Sequence, residues 1–257
     1  MAYNASRAPR KRKRSSETLA VARSLEGVEA LEGDPAAIDE WWTRGVRMVA
    51  LTWNRPNEFA GGIDSPEQGL TPAGRDLLGR LAALGGILDL AHASEPTWRD
   101  ALAEFDGAVV VSHAGCCAVR DHPRNLSDAQ LETLAERDGV LGMMALAFVV
   151  DPDRPTIDRY VDHVDHAVDV MGIDHVGLGC DFIDQVADLE RERGKNFDGM
   201  MADAEKAGRG RFGLEGFTGP EHYPALVEAL RARGYEGERL DAILRGNFLR
   251  ILRGALP

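Results

Sequence analysis

Short apolar runs bounded by glycine alternate with longer segments of helical periodicity along most of this chain. Three runs of Val, Ile and Leu cover residues 86–92, 108–113 and 175–181, and each ends in His92, His113 or Asp181. Runs of this length and composition are typical of strands buried in a parallel sheet. The pattern predicts further strands over residues 45–53 and 139–150, and a shorter apolar run near residues 20–31 is broken by Glu26 and Gly27.

Helix-start signals lie between these strands. Thr71-Pro72 predicts an N-cap followed by proline in the first turn, and Ser127 with Gln130 predicts a capping box. After Thr156, apolar side chains recur at helical spacing. We predict helices over residues 38–44, 71–84, 95–105, 128–137, 157–171, 223–233 and 238–252. Residues 54–70 are predicted to be a long loop, and residues 183–219 a long loop or a lid.

The alternation of strands and helices gives about six βα units and predicts an α/β fold. Polar side chains at the carboxyl ends of successive strands favour a TIM-type (β/α)8 barrel with its active site on that face. A closed barrel has eight strands, so we expect the first two to be lacking. We predict a disordered basic leader over residues 1–18 and a single partial barrel domain over residues 19–257.

The charge distribution narrows the choice of partners. The chain has 257 residues and a net charge of −12, yet its first 16 residues carry six basic side chains and no acid. The remaining part therefore has 24 basic and 42 acidic side chains, and we expect it to repel nucleic acid. No apolar stretch approaches the roughly 20 residues that span a bilayer, so no transmembrane segment is predicted. The three cysteines, of which two are adjacent, favour a cytoplasmic location.

Four residues are candidates for metal chemistry. His92 and His113 end neighbouring strands, so their imidazoles should approach each other on one rim of a barrel. Two histidines and a glutamate form a common ligand set for catalytic zinc, which makes Glu26 the natural third ligand. Asp181 ends the last strand and could move protons. The alternative is that each histidine is a hydrogen-bonded structural residue and that Glu26 is a surface carboxylate.

Other conspicuous side chains have simpler interpretations. His163 and His166 lie off the apolar face of their predicted helix, so we expect both to be solvated. Adjacent Cys116 and Cys117 are expected to be inert packing residues. Three tryptophans are predicted to belong to the core, namely Trp41, Trp42 and Trp98.

Taken together, the motifs resemble those of the membrane (renal-type) dipeptidases, peptidase family M19 of the amidohydrolase superfamily. The resemblance extends from about Leu25 to Leu252. Its matching segments are Leu-Glu-Gly at 25–27, residues 45–54, Gly-Leu-Thr-Pro-Ala-Gly at 69–74, residues 88–94, Ser-His at 112–113, Asp-His-Pro-Arg-Asn at 121–125, residues 172–179, Asp-Phe at 181–182, Gly-Leu-Glu at 213–215 and Gly-Asn-Phe-Leu-Arg at 246–250.

This resemblance implies a barrel that hydrolyses dipeptides with two zinc ions bridged by a carboxylate. By motif, Glu26 would bridge the metals, His92 and His113 would bind the second metal, and Asp181 would be the acid/base group. Arg124 would bind the substrate carboxylate, a task suited to a bidentate guanidinium.

Two departures from the family pattern affect these expectations. Trp53 stands where many members have a histidine that contacts the substrate, so we expect it to line the substrate site and alter its range. The family's first metal is bound by a His-x-Asp motif, but the first histidine of this chain is His92. We therefore expect one zinc ion here.

The functional prediction is zinc-dependent hydrolysis of dipeptides by metal-activated water. Two alternatives remain open. One is a catalytically impaired pseudoenzyme or fragment that lacks the first metal site. The other is an amidohydrolase that acts on another small amide. An incomplete barrel would expose sheet edges, and such edges favour homo-oligomers.

Overall fold

The computed structural model describes residues 22–193 and 212–255. Six strands in this part of the chain form one parallel sheet whose spatial order follows the sequence. The strands are β1 (Arg23–Glu26), β2 (Val46–Ala50), β3 (Ile87–Asp89), β4 (Val109–Ala114), β5 (Val140–Met143) and β6 (Val176–Leu178).

Helices connect each strand to the next, as parallel pairing requires. The helices are α1 (Ile38–Thr43), α2 (Pro72–Leu84), α3 (Glu95–Glu104), α4 (Asp128–Glu136), α5 (Ala147–Val150), α6 (Ile157–Met171), α7 (Asp184–Glu192), α8 (Tyr223–Ala232), α9 (Gly237–Asp241) and α10 (Asn247–Ala255). A π-helical turn over Ala242–Gly246 joins the last two. The predicted α/β fold with sequential βα units is confirmed. Within the described residues the sheet is open, because β1 pairs with β2 and β6 with β5 at its two edges.

The predicted capping residues do begin their helices. The Thr71 hydroxyl accepts a hydrogen bond from the Gly74 amide at 3.1 Å, and Ser127 forms the capping box with Gln130. Gly85 ends α2 in the left-handed conformation, at φ +72°. Because these signals act locally, the predicted ends of α2, α3, α4 and α6 lie within one residue of the observed ends.

The core lies between the sheet and the helices. It includes strand residues such as Val49 and Val111 and helix residues such as Leu81 and Tyr160, all fully buried. The Tyr160 hydroxyl donates a hydrogen bond to the Met143 carbonyl at 3.1 Å, which satisfies its only polar atom. Trp98 is buried as predicted, and Trp41 packs partly buried against this core. Trp42 is half-buried beneath the Arg47 guanidinium, 4.1 Å from its ring centre, rather than in the core.

Three further sequence predictions are wrong. The predicted strand over residues 139–150 ends at Met143, and α5 follows after a turn. The predicted loop over residues 183–219 contains α7. His163 is fully buried rather than solvated, because the segment after β4 and the end of α5 pack over that side of α6. Residues 194–211 of the predicted lid and the predicted leader at residues 1–18 lie outside the described residues.

Among the described residues, no helix is both long and apolar enough to cross a membrane. The boundaries of the predicted domain and the cytoplasmic location stay predictions.

Candidate metal centre and substrate cavity

The carboxyl ends of β1, β3 and β4 bring Glu26, His92 and His113 together. Glu26 is the last residue of β1, His92 follows the end of β3 by three residues, and His113 lies within β4. The Nε2 atoms of His92 and His113 are 2.9 Å apart, and Glu26 Oε1 lies 2.9 Å from the first and 3.3 Å from the second. The three candidate ligands thus converge as their strand positions predict.

The spacing of these three atoms fits a metal ion. A tetrahedral zinc ion with bonds of about 2.0–2.1 Å separates its ligand atoms by about 3.3 Å. In the part of the chain that the structure describes, this is the one group of His, Cys, Asp or Glu side chains with such convergence. Two imidazole nitrogens 2.9 Å apart cannot point their lone pairs at each other unless a cation or a proton lies between them. The donor set therefore matches one catalytic metal site of the two-histidine, one-carboxylate type.

Burial and charge at this site suit metal binding. Both histidines are buried, and burial lowers the pKa of His92 to about 4, although the hydrogen bond to Glu26 opposes this shift. Hydrogen bonds to His113 and then His92 hold the pKa of Glu26 well below its usual value. At neutral pH the site therefore contains a neutral His92 imidazole and an ionised carboxylate, the forms that bind metals.

Asp181 lies three residues beyond β6, on the same side of the sheet. It lines one cavity with Glu26 and His92, and another with Glu26 and His113. Burial raises the pKa of Asp181, while the charges of His113 and Arg124 oppose the rise. Both His92 and Asp181 have left-handed backbones, at φ +66° and +53°. Such strain in non-glycine residues costs on the order of 1–3 kcal/mol and concentrates at functional sites.

Arg124 is almost completely buried and faces the same cavity. Its guanidinium donates one hydrogen bond to the His113 carbonyl at 3.3 Å, and no described carboxylate lies within ion-pair distance. Burial lowers its pKa to about 10, which leaves the group charged at neutral pH. A buried cation that has no anionic partner among the described residues is an attractive binding position for an anion.

The cavity has a volume of about 670 Å³ and both polar and apolar walls. Trp53 lies at its mouth with 37% exposure, its ring centre 6.0 Å from that of His92. Part of the wall is apolar and is formed by Met144, Leu146, Phe148, Ile183 and Phe212. All six predicted site residues thus lie at one end of the sheet. Five of them line this cavity, and the sixth, His113, contacts His92.

Sequence reasoning missed several residues that support the ligands. Asn54 Oδ1 lies 2.6 Å from His92 Nδ1, and Ser112 Oγ lies 2.7 Å from His113 Nδ1. Asp89 accepts hydrogen bonds from the amides of Ala91 and Ser112, and so connects the ends of β3 and β4. Asn54 and Ser112 are each adjacent to a residue that was singled out, but individual side-chain hydrogen bonds of this kind leave no periodic signal in a sequence.

Comparison with known proteins identifies the family. Residues 1–203 match the model of the membrane dipeptidase family, peptidase family M19. An uncharacterized protein encoded in the pqqA 5′ region of Klebsiella pneumoniae is 31% identical over 253 residues, covering 93% of this chain and 83% of the relative. The dipeptidase tcpJ of Claviceps purpurea is 30% identical over 233 residues, covering 89% of this chain. The chain belongs to the membrane dipeptidase family.

Solved structures agree with this assignment. A metallopeptidase from Rhodobacter sphaeroides, determined with a phosphinate mimic of the dipeptide L-Ala-D-Ala, has a TM-score of 0.76 and 28% identity. The match covers 91% of this chain and 63% of that protein. An amidohydrolase from Pseudomonas aeruginosa, at 24% identity and a TM-score of 0.76, shares the fold. The predicted TIM-type fold class and the family resemblance are confirmed, and the family is one of dipeptidase-like hydrolases.

The chain is shorter than several of these proteins. It spans 49% of the length of tcpJ and 53% of the dipeptidase verJ of Clonostachys rogersoniana.

Proposed function

We propose that this protein hydrolyses dipeptides with one zinc ion bound by Glu26, His92 and His113. The observation that supports this proposal most directly is the convergence of these side chains beside a cavity that also contains Asp181 and Arg124. A ligand set, a proton-transfer group and an anion-binding group are the parts that peptide hydrolysis at a metal requires.

Bound zinc would act as a Lewis acid and make water acidic enough to serve as a nucleophile near neutral pH. The remaining steps belong to residues of this chain. Arg124 binds the carboxylate of the dipeptide and orients its peptide bond. Asp181 accepts a proton from the attacking water and transfers it to the leaving amine, so that the amine departs in neutral form.

The apolar wall and Trp53 bind the side chains of the substrate. The Rhodobacter relative was solved with a mimic of L-Ala-D-Ala, which supports a small dipeptide as the substrate class. A cavity of about 670 Å³ has room for such a ligand.

A second candidate is hydrolysis of another small amide, such as a lactam or an N-acyl amino acid. Trp53 favours it, because an indole N–H at the cavity mouth can donate a hydrogen bond but cannot act as an acid/base as a histidine would. Arg124 would bind the carboxylate of an N-acyl amino acid equally well.

The test uses the purified full chain, stripped of metal and then loaded with zinc. It is assayed with dipeptides, N-acyl amino acids and a lactam. The proposal predicts dipeptide turnover that chelator abolishes and zinc restores. Turnover restricted to other amides would support the second candidate, and zinc binding without turnover of any substrate would identify a non-catalytic member of the family.

A further inference from the structure

The side chain of Asn54, in the loop between β2 and α2, contacts the outer nitrogen of a candidate metal ligand. We infer that Asn54 is a positioning residue that fixes the tautomer and orientation of His92, so that its Nε2 faces the metal. The inference rests on the proposed metal-dependent function. It assigns to Asn54 a role in metal affinity rather than contact with the substrate.

The hydrogen-bond geometry supports this role. Asn54 Oδ1 lies 2.6 Å from His92 Nδ1, while His92 Nε2 faces Glu26 and His113. An amide oxygen can only accept, so this contact requires the proton of a neutral His92 to be on Nδ1. The Nε2 atom then carries the lone pair that a metal needs. Metal-binding histidines commonly donate their second N–H to such an acceptor, which fixes the ring and raises its basicity.

The same loop also holds the backbone of His92. The His92 carbonyl accepts hydrogen bonds from the Ile63 amide at 3.0 Å and from the Thr52 hydroxyl at 3.3 Å. His92 is in the left-handed conformation, at φ +66°, which is unfavourable without such support. The loop therefore fixes both the strained backbone and the ring of this ligand.

Asn54 is itself fixed within the loop. Its carbonyl accepts a hydrogen bond from the Asp64 amide at 2.8 Å, and Gly62 packs so closely that an added Cβ would lie 2.4 Å from the same oxygen. Gly62 also pairs with Ala93, the residue after His92. These contacts already hold the loop against the segment that carries His92. Little conformational entropy is therefore lost when Asn54 accepts the hydrogen bond from the His92 ring.

The experiment compares three variants of the full chain for zinc affinity, measured by competition with a chromophoric chelator. Asn54→Leu keeps the side-chain shape but removes the acceptor, whereas Asn54→Asp keeps both. Ser65→Ala is the matched control, because Ser65 donates within the same loop, to the Gly62 carbonyl, without a hydrogen bond to His92. We expect Asn54→Leu to weaken zinc binding about 10–100-fold, the usual effect of losing such a partner. The zinc affinities of Asn54→Asp and Ser65→Ala should be within about threefold of the parent's affinity, or higher than it.

A second readout separates positioning from a general structural role. Long-range ¹H–¹⁵N spectra of the zinc-loaded parent should show His92 protonated on Nδ1 and bound through Nε2. Asn54→Leu should change that pattern, while thermal unfolding of the metal-free variant should match the parent. If Asn54→Leu does not fold, Asn54→Ala has the same expected loss of affinity.

Several outcomes would overturn the inference. These are parent-like zinc affinity in Asn54→Leu, equal losses in the Leu and Asp variants, or an equal loss in Ser65→Ala. A parent that binds zinc with the expected variant pattern but turns over no amide would leave the inference standing and refute the proposed function. A parent that binds no zinc would refute both.

Discussion

Gly179 lies directly against the carbonyl oxygen of Ser112, so closely that an added Cβ would be 1.9 Å from that atom. Gly142 approaches the same oxygen, at 2.0 Å for its added Cβ. Two glycines, one on β5 and one just beyond β6, thus allow the backbone there to pack directly against Ser112, the residue that precedes His113. The position of this ligand depends on the absence of side chains at these two sites.

This contact predicts that Gly179→Ala is destabilising. The methyl group must displace backbone, so the free energy of unfolding should fall by about 1–3 kcal/mol, and zinc affinity should fall with it because His113 moves. Gly79→Ala is the control. Gly79 is inside α2, and no described atom outside that helix's own backbone lies within 4 Å of its added Cβ, so alanine should raise the free energy of unfolding by about 0.5–1 kcal/mol. Urea denaturation measures the free energy of unfolding of both variants, and equal changes in the two would contradict this prediction.

His163 makes stability depend on pH. Its Nδ1 accepts a hydrogen bond from the Cys116 amide at 3.0 Å, and its Nε2 donates to the Val150 carbonyl at 3.1 Å. Burial lowers the pKa of His163 to about 4, from an ordinary value of 6.5. The unfolded chain therefore binds more protons than the folded protein between these two values. The stabilisation is complete above pH 6.5 and is lost as the pH falls toward 4.

We predict that this single group changes the free energy of unfolding by on the order of 3 kcal/mol between pH 6.5 and 4. His163→Gln keeps one donor and one acceptor but cannot titrate, so its stability should fall less steeply over this range. Urea unfolding at intervals between pH 4 and 7 measures the difference. Parallel curves for the parent and the variant would show that His163 does not titrate in this way.

Arg124 should control the affinity for substrates that carry a carboxylate. Arg124→Lys keeps the charge but loses the bidentate geometry, so KM for a dipeptide should rise about 10–100-fold, as expected for loss of a charged hydrogen bond. The same dipeptide with a C-terminal amide should be hydrolysed equally poorly by parent and variant. Arg99→Lys, at an exposed side chain, is the control. A dipeptide KM unchanged in Arg124→Lys would remove the proposed role.

Asp181→Asn should separate proton transfer from metal binding. The amide fills the same space but cannot accept the proton of the attacking water, so kcat should fall about 10²–10⁴-fold. Zinc content should stay at the parental level, since Asp181 is not in the ligand group. Steady-state kinetics measures kcat, and elemental analysis measures the zinc content. Loss of zinc along with activity would instead place Asp181 among the ligands.

The sequence was sufficient to predict the features that depend on local chemistry. Thr71, Ser94, Ser127 and Thr156 each cap the helix that was predicted to follow them. The convergence of the two histidines was also predictable, because parallel strands place their carboxyl ends on one edge.

Other features depended on tertiary contacts. A helical wheel places His163 away from the apolar face of α6, but it does not reveal that Cys116 and Val150 pack over that side. Residues 139–150 are apolar throughout, so periodicity alone did not separate β5 from α5. The role of Asn54 arises from a contact with His92, which is distant in sequence, and that of Ser112 from a hydrogen bond to its neighbour His113; neither contact leaves a periodic signal.

Metal stoichiometry tests the central claim most directly. Elemental analysis of the zinc-loaded full chain, after removal of excess metal, should give one zinc ion per chain. It should give none for His92→Ala combined with His113→Ala. Circular dichroism of both proteins verifies that the fold is retained. A parent without zinc, or a double variant that retains it, would contradict the proposal that Glu26, His92 and His113 form the metal site.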